Sequence, residues 1–334
     1  MSYILVTGSN GFIAGFLIER LLEMNYKVLG VSTKENKKFV NKNYKHIRVD
    51  ITQCLQMERI FERYDISAII HLAAIAHLKD RKKLDWNEFY RVNTLASKTL
   101  FTIAAKSNID VFYASTVDVY GKIEGSIITE DCIPKPNTSY AKSKFLAERI
   151  LIEKFKNSTS KYLIARFAPV YGMDNMKDIY KRAFIKYPKI AYLIGEGYNY
   201  HFVSVHNVVD FILKWIISNK KQSGIYNVCD SELVNSKDLL LYEKKNGIKP
   251  KVICIPAKIL PLINLFLKII NKIVDNSNLK KIELNLYKIV NPPKYSIEKM
   301  KSIYSPEWNL ENTVYKKVEN QKVHFNGKSI SNRQ

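Results

Sequence analysis

Cysteine is scarce in this chain: Cys54, Cys132, Cys229 and Cys254 are the only four in 334 residues, and no two form a Cys-x-x-Cys pair. A cysteine-built metal site and a disulfide framework are both excluded on that count, and no metal is expected. Acidic side chains are also few, with 31 Asp and Glu against 53 Lys and Arg and a formal charge of +22. The basic excess is nevertheless diffuse. It contains no long Lys/Arg block, no zinc-finger spacing and no RNA-binding aromatic strand motif. A Lys-rich surface that attracts a phosphorylated small substrate fits this pattern, and nucleic acid is not the expected partner.

Long apolar runs are missing as well. The greasy region 252–274 is interrupted by Pro256, Lys258, Pro261, Lys268 and Lys272. Its longest charge-free stretch, Ile259 to Leu267, is far shorter than the ~20 residues needed to span a bilayer, so no transmembrane segment is expected. The region suits a helix of a substrate lobe or a dimer face, and a basic amphipathic helix on a membrane surface stays open. The N-terminus has no charged region ahead of an apolar core and leads straight into a strand pattern. A cytoplasmic protein is expected.

What is present points to order: 46% of residues are hydrophobic and 12% aromatic, enough for a large interior in a chain long enough for two packed lobes. Apolar runs at Tyr3–Thr7, Lys27–Val31, Ile47–Val49, Ala68–Leu72, Val111–Ser115 and Tyr162–Phe167 read as strands. Between them, Phe12–Met24, Gln53–Tyr64, Trp86–Lys106 and Tyr140–Phe155 read as helices. The alternation predicts an α/β fold, a doubly wound parallel sheet of Rossmann type with a smaller C-terminal substrate lobe. The rhythm breaks after Gly172, and Phe202–Trp215 and Gly224–Val228 look like a return to the sheet. The expected division is therefore 1–172 with 203–230 for the dinucleotide-binding domain, 173–202 with 231–320 for the substrate lobe, and a polar tail over 321–334.

The turn after the first strand reads Val6-Thr7-Gly8-Ser9-Asn10-Gly11-Phe12-Ile13-Ala14-Gly15. Gly8 permits a tight turn, Gly11 lets backbone approach a pyrophosphate, and the helix N-terminus offers free amide groups to the phosphates. Gly8, Asn10, Gly11, Phe12 and Ile13 are the expected contacts. The second strand ends without the carboxylate that would bond a ribose 2′-hydroxyl. Ser32 and Lys34 stand there instead, with Lys37 and Lys38 nearby, which favours NADP and keeps NAD as the alternative. Asp50 and Ile51, after the third strand, are placed to touch the adenine.

Tyr140 and Lys144 share one helix face at i and i+4. A free phenol titrates near ~10, and a neighbouring ammonium is expected to lower that value and make Tyr140 a proton donor and acceptor. Thr116 closes the fifth strand, at the sheet end where open parallel sheets place ligands. Its hydroxyl can bond the same substrate oxygen.

These motifs, with His71-Leu72-Ala73-Ala74, Asn93, Pro134-x-Pro136, Arg166-x-x-Pro169-x-Tyr171-Gly172 and Tyr226-Asn227-Val228, resemble an extended short-chain dehydrogenase/reductase of the NAD-dependent epimerase/dehydratase family. The resemblance runs from Tyr3 to about Val228. It implies Thr116, Tyr140 and Lys144 as the catalytic set. It implies Leu72, Ala73, Ala74, Asn93, Phe167 and Pro169 beside the cofactor, together with Tyr140 and Lys144. On the substrate side it implies His77, Thr116, Val117, Asp118, Tyr140 and Tyr200. A homodimer built by helix packing and a nucleotide-linked sugar as substrate follow from the same resemblance.

Departures from the family pattern narrow the chemistry. Dehydratases resemble one another in carrying Asp-Glu after the catalytic Thr, where this chain has Val117 and Asp118, so dehydration is not expected. Ser32 replaces the acid common in epimerases. The resulting expectation is a 4-keto-sugar reductase using NADPH with Tyr140 as proton donor. The alternatives are an NAD-dependent nucleotide-sugar 4-epimerase, a reductase of a hydrophobic ketone, or a non-catalytic cofactor-binding protein. Tyr200 and His201 stand where many relatives hold an Arg on the diphosphate, so that task passes to another basic residue such as Lys177, Lys181 or Arg182.

Overall fold

Strands that lie in the middle of a parallel sheet are covered on both faces and therefore read as short unbroken apolar runs. The computed structural model describes residues 2–76, 85–123, 127–274, 286 and 289–315. Its first half contains β1 (Tyr3–Thr7), α1 (Phe12–Glu23), β2 (Lys27–Ser32), β3 (Tyr44–Arg48), α2 (Cys54–Arg63) and β4 (Ile66–His71). Next, α3 (Trp86–Phe89) passes through a π-helical turn, Tyr90–Leu95, into α4 (Ala96–Lys106). β5 (Asp110–Thr116), α5 (Ser139–Phe155) and β6 (Tyr162–Phe167) follow. The remainder comprises β7 (Val170–Tyr171), α6 (Lys177–Tyr180), β8 (Phe184–Lys186), β9 (Ile190–Ile194), β10 (Asn199–Tyr200) and β11 (Val203–Ser204). Then come α7 (Val205–Ile217), β12 (Gly224–Val228), β13 (Val234–Asn235), α8 (Ser236–Lys245), β14 (Lys251–Ile255), α9 (Leu260–Ile273), the short helix α10 (Glu298–Lys301) and a π-helical turn, Glu311–Tyr315.

Seven strands form one sheet in the order β12-β6-β5-β4-β1-β2-β3, and every pairing in it is parallel. Strand alternation sends neighbouring residues to opposite faces. Leu5, Ile69 and Tyr113 pack with Leu100, Phe101 and Leu151 of α4 and α5. Val6, Ile70 and Phe112 pack with Leu17 and Ile18 of α1 and Phe211 and Trp215 of α7 on the other face. The strand order reverses between β4 and β1, which opens a crevice at their carboxyl ends, where such sheets bind ligands.

Several ends differ from the sequence reading by one or two residues, and two elements differ by more. The third strand is Tyr44–Arg48 rather than Ile47–Val49, because β3 is the sheet edge and its half-exposed polar residues blur the apolar signal. The return at Phe202–Trp215 is a two-residue strand followed by the helix α7, whose side chains are mostly buried, and only Gly224–Val228 rejoins the sheet. Beyond the sheet, β14 pairs parallel to β9, which pairs antiparallel to β8, and β10 pairs with β13. The polar tail 321–334 lies outside the described residues.

Candidate active site

The turn between β1 and α1 is shaped by its glycines. Gly8 has φ +69°, and a Cβ there would sit 2.8 Å from the Ala73 Cα. Backbone of the β4 segment therefore lies directly against the turn, and any side chain at position 8 is strained twice over. Gly11 donates its amide to the Gly8 carbonyl (2.8 Å) and forms the N-cap of α1 with no side-chain cap, which leaves first-turn amide groups for a ligand. Ser9, Asn10, Gly11, Phe12, Lys37 and Lys38 border one groove. A closely approachable glycine turn ahead of an uncapped helix start fits the pyrophosphate of a dinucleotide.

The far end of that groove is organised by one carbonyl. Lys34 O accepts from Asn10 Nδ2 (2.9 Å) and Ser32 Oγ (2.8 Å), and lies 3.0 Å from His46 Nε2. The Ser32 hydroxyl is thus turned onto its own backbone. Asp50 Oδ1 accepts from both the amide and the hydroxyl of Thr52 at 2.9 Å, next to the buried Ile51.

A buried polar relay links β1, β4 and α4; Thr7 and His71 stand in the sequence motifs, whereas Ser97 belongs to none. The Ala73 amide donates to Thr7 Oγ1 (3.2 Å), whose hydroxyl lies 2.6 Å from His71 Nδ1. On the other side His71 Nε2 lies 2.8 Å from Ser97 Oγ, and Ser97 donates to the Asn93 carbonyl at 2.7 Å. Because the Ser97 proton is committed to that carbonyl, Ser97 must accept from Nε2, and Nδ1 must accept from Thr7. His71 is fully buried and its pKa is pushed down to about 3, by burial first and by Lys144 second, so the ring is neutral. Asn93 lies in the π-helical turn. Its carbonyl oxygen accepts from the Ile75 amide (2.9 Å), and its Nδ2 donates to Ile75 O (2.9 Å) and Ser143 Oγ (3.0 Å). Almost fully buried, Asn93 spends its amide inside the protein, tying the β4 loop to α5 rather than facing a groove. Leu72 and Ala73 are part-buried and Ala74 is exposed along that loop, whereas His77 lies outside the described residues.

Thr116, at the end of β5, accepts from the Asp118 amide at 3.2 Å and so starts the short 3₁₀ turn Val117–Tyr120. Thr138 caps α5 by accepting from the Ala141 amide (3.1 Å), which sets Tyr140 and Lys144 in the first two turns of that helix. The Lys144 ammonium lies 4.1 Å from the centre of the Tyr113 ring and its pKa is pushed down to about 7 by burial, with Glu148 opposing. The expectation that Lys144 holds the Tyr140 phenol below its ordinary range is not met. Burial and then the Asp118 carboxylate push Tyr140 up, so the phenol keeps its proton at neutral pH.

One turn beyond Lys144, Glu148 sits in a buried cluster that sequence reasoning missed. It accepts from Arg166 Nη2 (2.7 Å), Arg166 Nε (3.2 Å) and Ser115 Oγ, while the Arg166 guanidinium lies 4.7 Å from the Tyr120 ring centre. These bonds lock α5 to the ends of β5 and β6. The i+4 spacing from Lys144 was the available signal for Glu148.

A second cleft is lined by Val117, Asp118, Pro169, Arg182, Tyr200 and Asn291, among others. Tyr200 is nearly buried and donates its hydroxyl to Ile289 O (2.8 Å). The Arg182 guanidinium lies 5.1 Å from the Tyr200 ring centre, and its Nε is buried without a hydrogen-bond partner. Of the three basic residues considered for an anion, Arg182 is the one that lines this cleft; Lys181 is exposed and paired with Asp178 at 2.6 Å. His201 accepts from the Tyr295 amide (2.8 Å) and has its pKa pushed down to about 4 by burial and then by Lys294, so it brings no positive charge. Phe167 is buried, with its ring stacked on that of Phe112. No group of His, Cys, Asp and Glu among the described residues could hold a metal ion.

Comparison with known proteins gives the family and the fold. Residues 4–229 match the profile of the NAD dependent epimerase/dehydratase family. UDP-arabinose 4-epimerase 1 of Arabidopsis thaliana is 27% identical over 185 residues, 52% of this chain and 44% of that protein, so the match spans less than half of that relative. The human dTDP-D-glucose 4,6-dehydratase is 29% identical over 240 residues, 67% of this chain and 68% of that protein. Among solved structures, UDP-glucuronic acid 4-epimerase from Bacillus cereus in complex with NAD superposes with a TM-score of 0.69 at 21% identity, covering 93% of this chain and 95% of that one.

Proposed function

The chain belongs to the NAD dependent epimerase/dehydratase family, and we propose that it is an enzyme that inverts C4 of a nucleotide-linked sugar with NAD held in the Gly8–Gly11 groove. The observation that carries this reading is the set Thr116, Tyr140 and Lys144 at the ends of β5 and α5, beside a cleft whose wall includes Arg182 with its Nε buried and without a hydrogen-bond partner. NAD is the dinucleotide named with the Bacillus cereus epimerase, and 4-epimerases stand among the relatives.

When bound, the dinucleotide supplies a reversible acceptor for hydride. The protein's own part is proton handling and positioning. Tyr140 is protonated in the empty site and would first have to release that proton to solvent; as phenolate it would accept the hydroxyl proton while the sugar carbon is oxidised to a ketone, and return it when that carbon is reduced from its other face, so the reaction is redox-neutral overall. Thr116 would orient the oxygen, and Lys144, one helical turn beyond Tyr140 on α5, would hold the ribose end of the cofactor. Arg182 takes the diphosphate. Val117 is apolar and buried, which leaves no second acid beside Thr116 for eliminating water.

A 4-keto-sugar reductase using NADPH is the second reading. It is favoured by Ser32 in place of an acid and by Lys37 and Lys38 on the groove. Denaturing the purified protein and identifying released nucleotide separates the two. Stoichiometric NAD together with interconversion of UDP-hexose C4 epimers, followed by NMR, supports the epimerase. An empty protein that consumes NADPH against a 4-keto nucleotide sugar replaces that reading with the reductase.

The homodimer is proposed to form through the outer faces of α4 and α5, where Tyr90, Leu146, Ile150 and Ile152 border an open groove. Light scattering of wild type against Ile152→Glu tests it. No helix among the described residues is long and apolar enough to cross a membrane.

A further inference from the structure

The face of the C-terminal lobe formed by β8, β9, β14 and α9 is short of acid. Between Asn246 and Val274 the sequence places Lys249, Lys251, Lys258, Lys268 and Lys272 and no Asp or Glu. Across β8 and β9, from Ile179 to Gly195, basic residues again occur without a single acid. The acids that bracket the β8–β9 stretch, Asp178 and Glu196, are paired with Lys181 and Lys237, so this part of the lobe carries a basic excess.

The same face exposes an apolar stripe. α9 anchors itself by burying Leu260 against Tyr192 and Ile194 of β9. Its outward side carries Leu262, Leu265, Phe266 and Ile269 at i, i+3, i+4 and i+7, with Leu262 67% and Phe266 63% exposed. Ile253 of β14 and Ile185 of β8 are exposed as well. Large apolar side chains clustered this way on a folded surface mark an interaction site. The 14 residues of α9 measure about 21 Å at 1.5 Å per residue, too short for the ~30 Å bilayer core.

We propose that α9, with β14 beside it, seats this protein on the surface of an anionic lipid bilayer. The apolar stripe enters the headgroup boundary, and Lys249, Lys251 and Lys258 meet the lipid phosphates. Charge complementarity selects this occupant over a second copy of the chain, since a two-fold contact through this face would oppose one lysine-rich surface to another.

The test is flotation of the full-length protein with vesicles of phosphatidylcholine alone and of phosphatidylcholine mixed with phosphatidylglycerol, at low and high salt. Wild type is compared with the Leu262→Ser, Phe266→Ser double variant. Both positions are exposed and far from the dinucleotide groove, so the melting temperature and dinucleotide affinity of the variant should match wild type. The expected result is binding to the mixed vesicles at least about tenfold above phosphatidylcholine alone, weakened by salt and reduced about tenfold by the double substitution. Three results would each overturn the proposal. One is no binding to the mixed vesicles at low salt. Another is binding that the double substitution leaves unchanged. The third is a dimer that the same substitutions convert to monomer in light scattering, which would assign the stripe to a second copy.

Discussion

The Lys144 ammonium sits 4.1 Å above the ring of Tyr113, and that ring is stacked on His71 at 5.5 Å. A cation, an aromatic face and a neutral imidazole are thus layered beneath the dinucleotide groove. Burial brings Lys144 to about 7, well under the ordinary lysine value near 10.5. Between those values the unfolded chain holds a proton that the native protein lacks, so stability rises with pH across that window and the penalty is fully present below about 7. Lys144→Met removes the penalty. The nucleotide-free variant should be more stable than wild type at pH 7, by roughly 1 kcal/mol or more, with the gain shrinking toward pH 10. Urea unfolding midpoints taken across that range check this, and a gain that grows with pH would contradict it. The same variant should lose turnover.

Tyr140 tests the chemistry directly. Tyr140→Phe keeps the ring against Phe89 but removes the group that moves the proton. Turnover should fall by about 10²–10⁴-fold while dinucleotide affinity stays within a few-fold of wild type. Near-normal turnover in this variant would remove Tyr140 from the mechanism.

How far the sequence could be read depends on where each signal is stored. Central strands β1, β4, β5 and β6 are covered on both faces, so their apolar runs are visible locally, and the edge strand β3 was misplaced for the same reason. The Gly8–Gly11 turn and the i, i+4 pair Tyr140 and Lys144 are local patterns too. The relay through Thr7, His71 and Ser97 joins residues 64 and 26 positions apart, and no local pattern announces it. The environment of Tyr140 is not encoded in the spacing of Lys144. It comes from burial by the surrounding elements and from Asp118 on another segment. Lys177, Lys181 and Arg182 were equivalent as letters, and only the turn after α6 decides that Arg182 lines the cleft.

Gly8 tests the cradle. A Cβ at this position meets the Ala73 Cα at 2.8 Å and demands a left-handed backbone at φ +69°. Gly8→Ala should lower stability by about 1–3 kcal/mol and push the Ala73 backbone away from the turn. Dinucleotide affinity, measured by fluorescence titration, should drop about tenfold or more. Unchanged affinity would mean the pyrophosphate binds elsewhere.

His71 sets an acid limit on the fold. Its native pKa of about 3 lies below the ordinary histidine value near 6.5, so the unfolded chain binds a proton first as pH falls. Stability contributed by the neutral ring is complete above about 6.5 and is lost progressively toward 3. His71→Gln should be less stable at pH 7, because the bonds to Thr7 and Ser97 are remade imperfectly, yet should lose less further stability between pH 6.5 and 4.5 than wild type does. Parallel pH slopes for the two proteins would show that the ring does not carry this dependence.

Arg182 carries the substrate assignment. Its guanidinium lies over the Tyr200 ring with Nε buried and unpartnered, an arrangement that costs stability until an acceptor arrives. A phosphate oxygen of a nucleotide diphosphate is such an acceptor. Arg182→Ala should raise KM for the nucleotide sugar by roughly 10–100-fold, the equivalent of one charge-assisted hydrogen bond, with kcat nearly unchanged. Arg182→Lys should recover little, because a point charge neither stacks on Tyr200 nor presents a planar fork. Calorimetric titration with UDP isolates the binding step from the chemistry. Equal UDP affinity in wild type and Arg182→Ala would place the diphosphate away from this cleft, and would revive a hydrophobic ketone as the substrate.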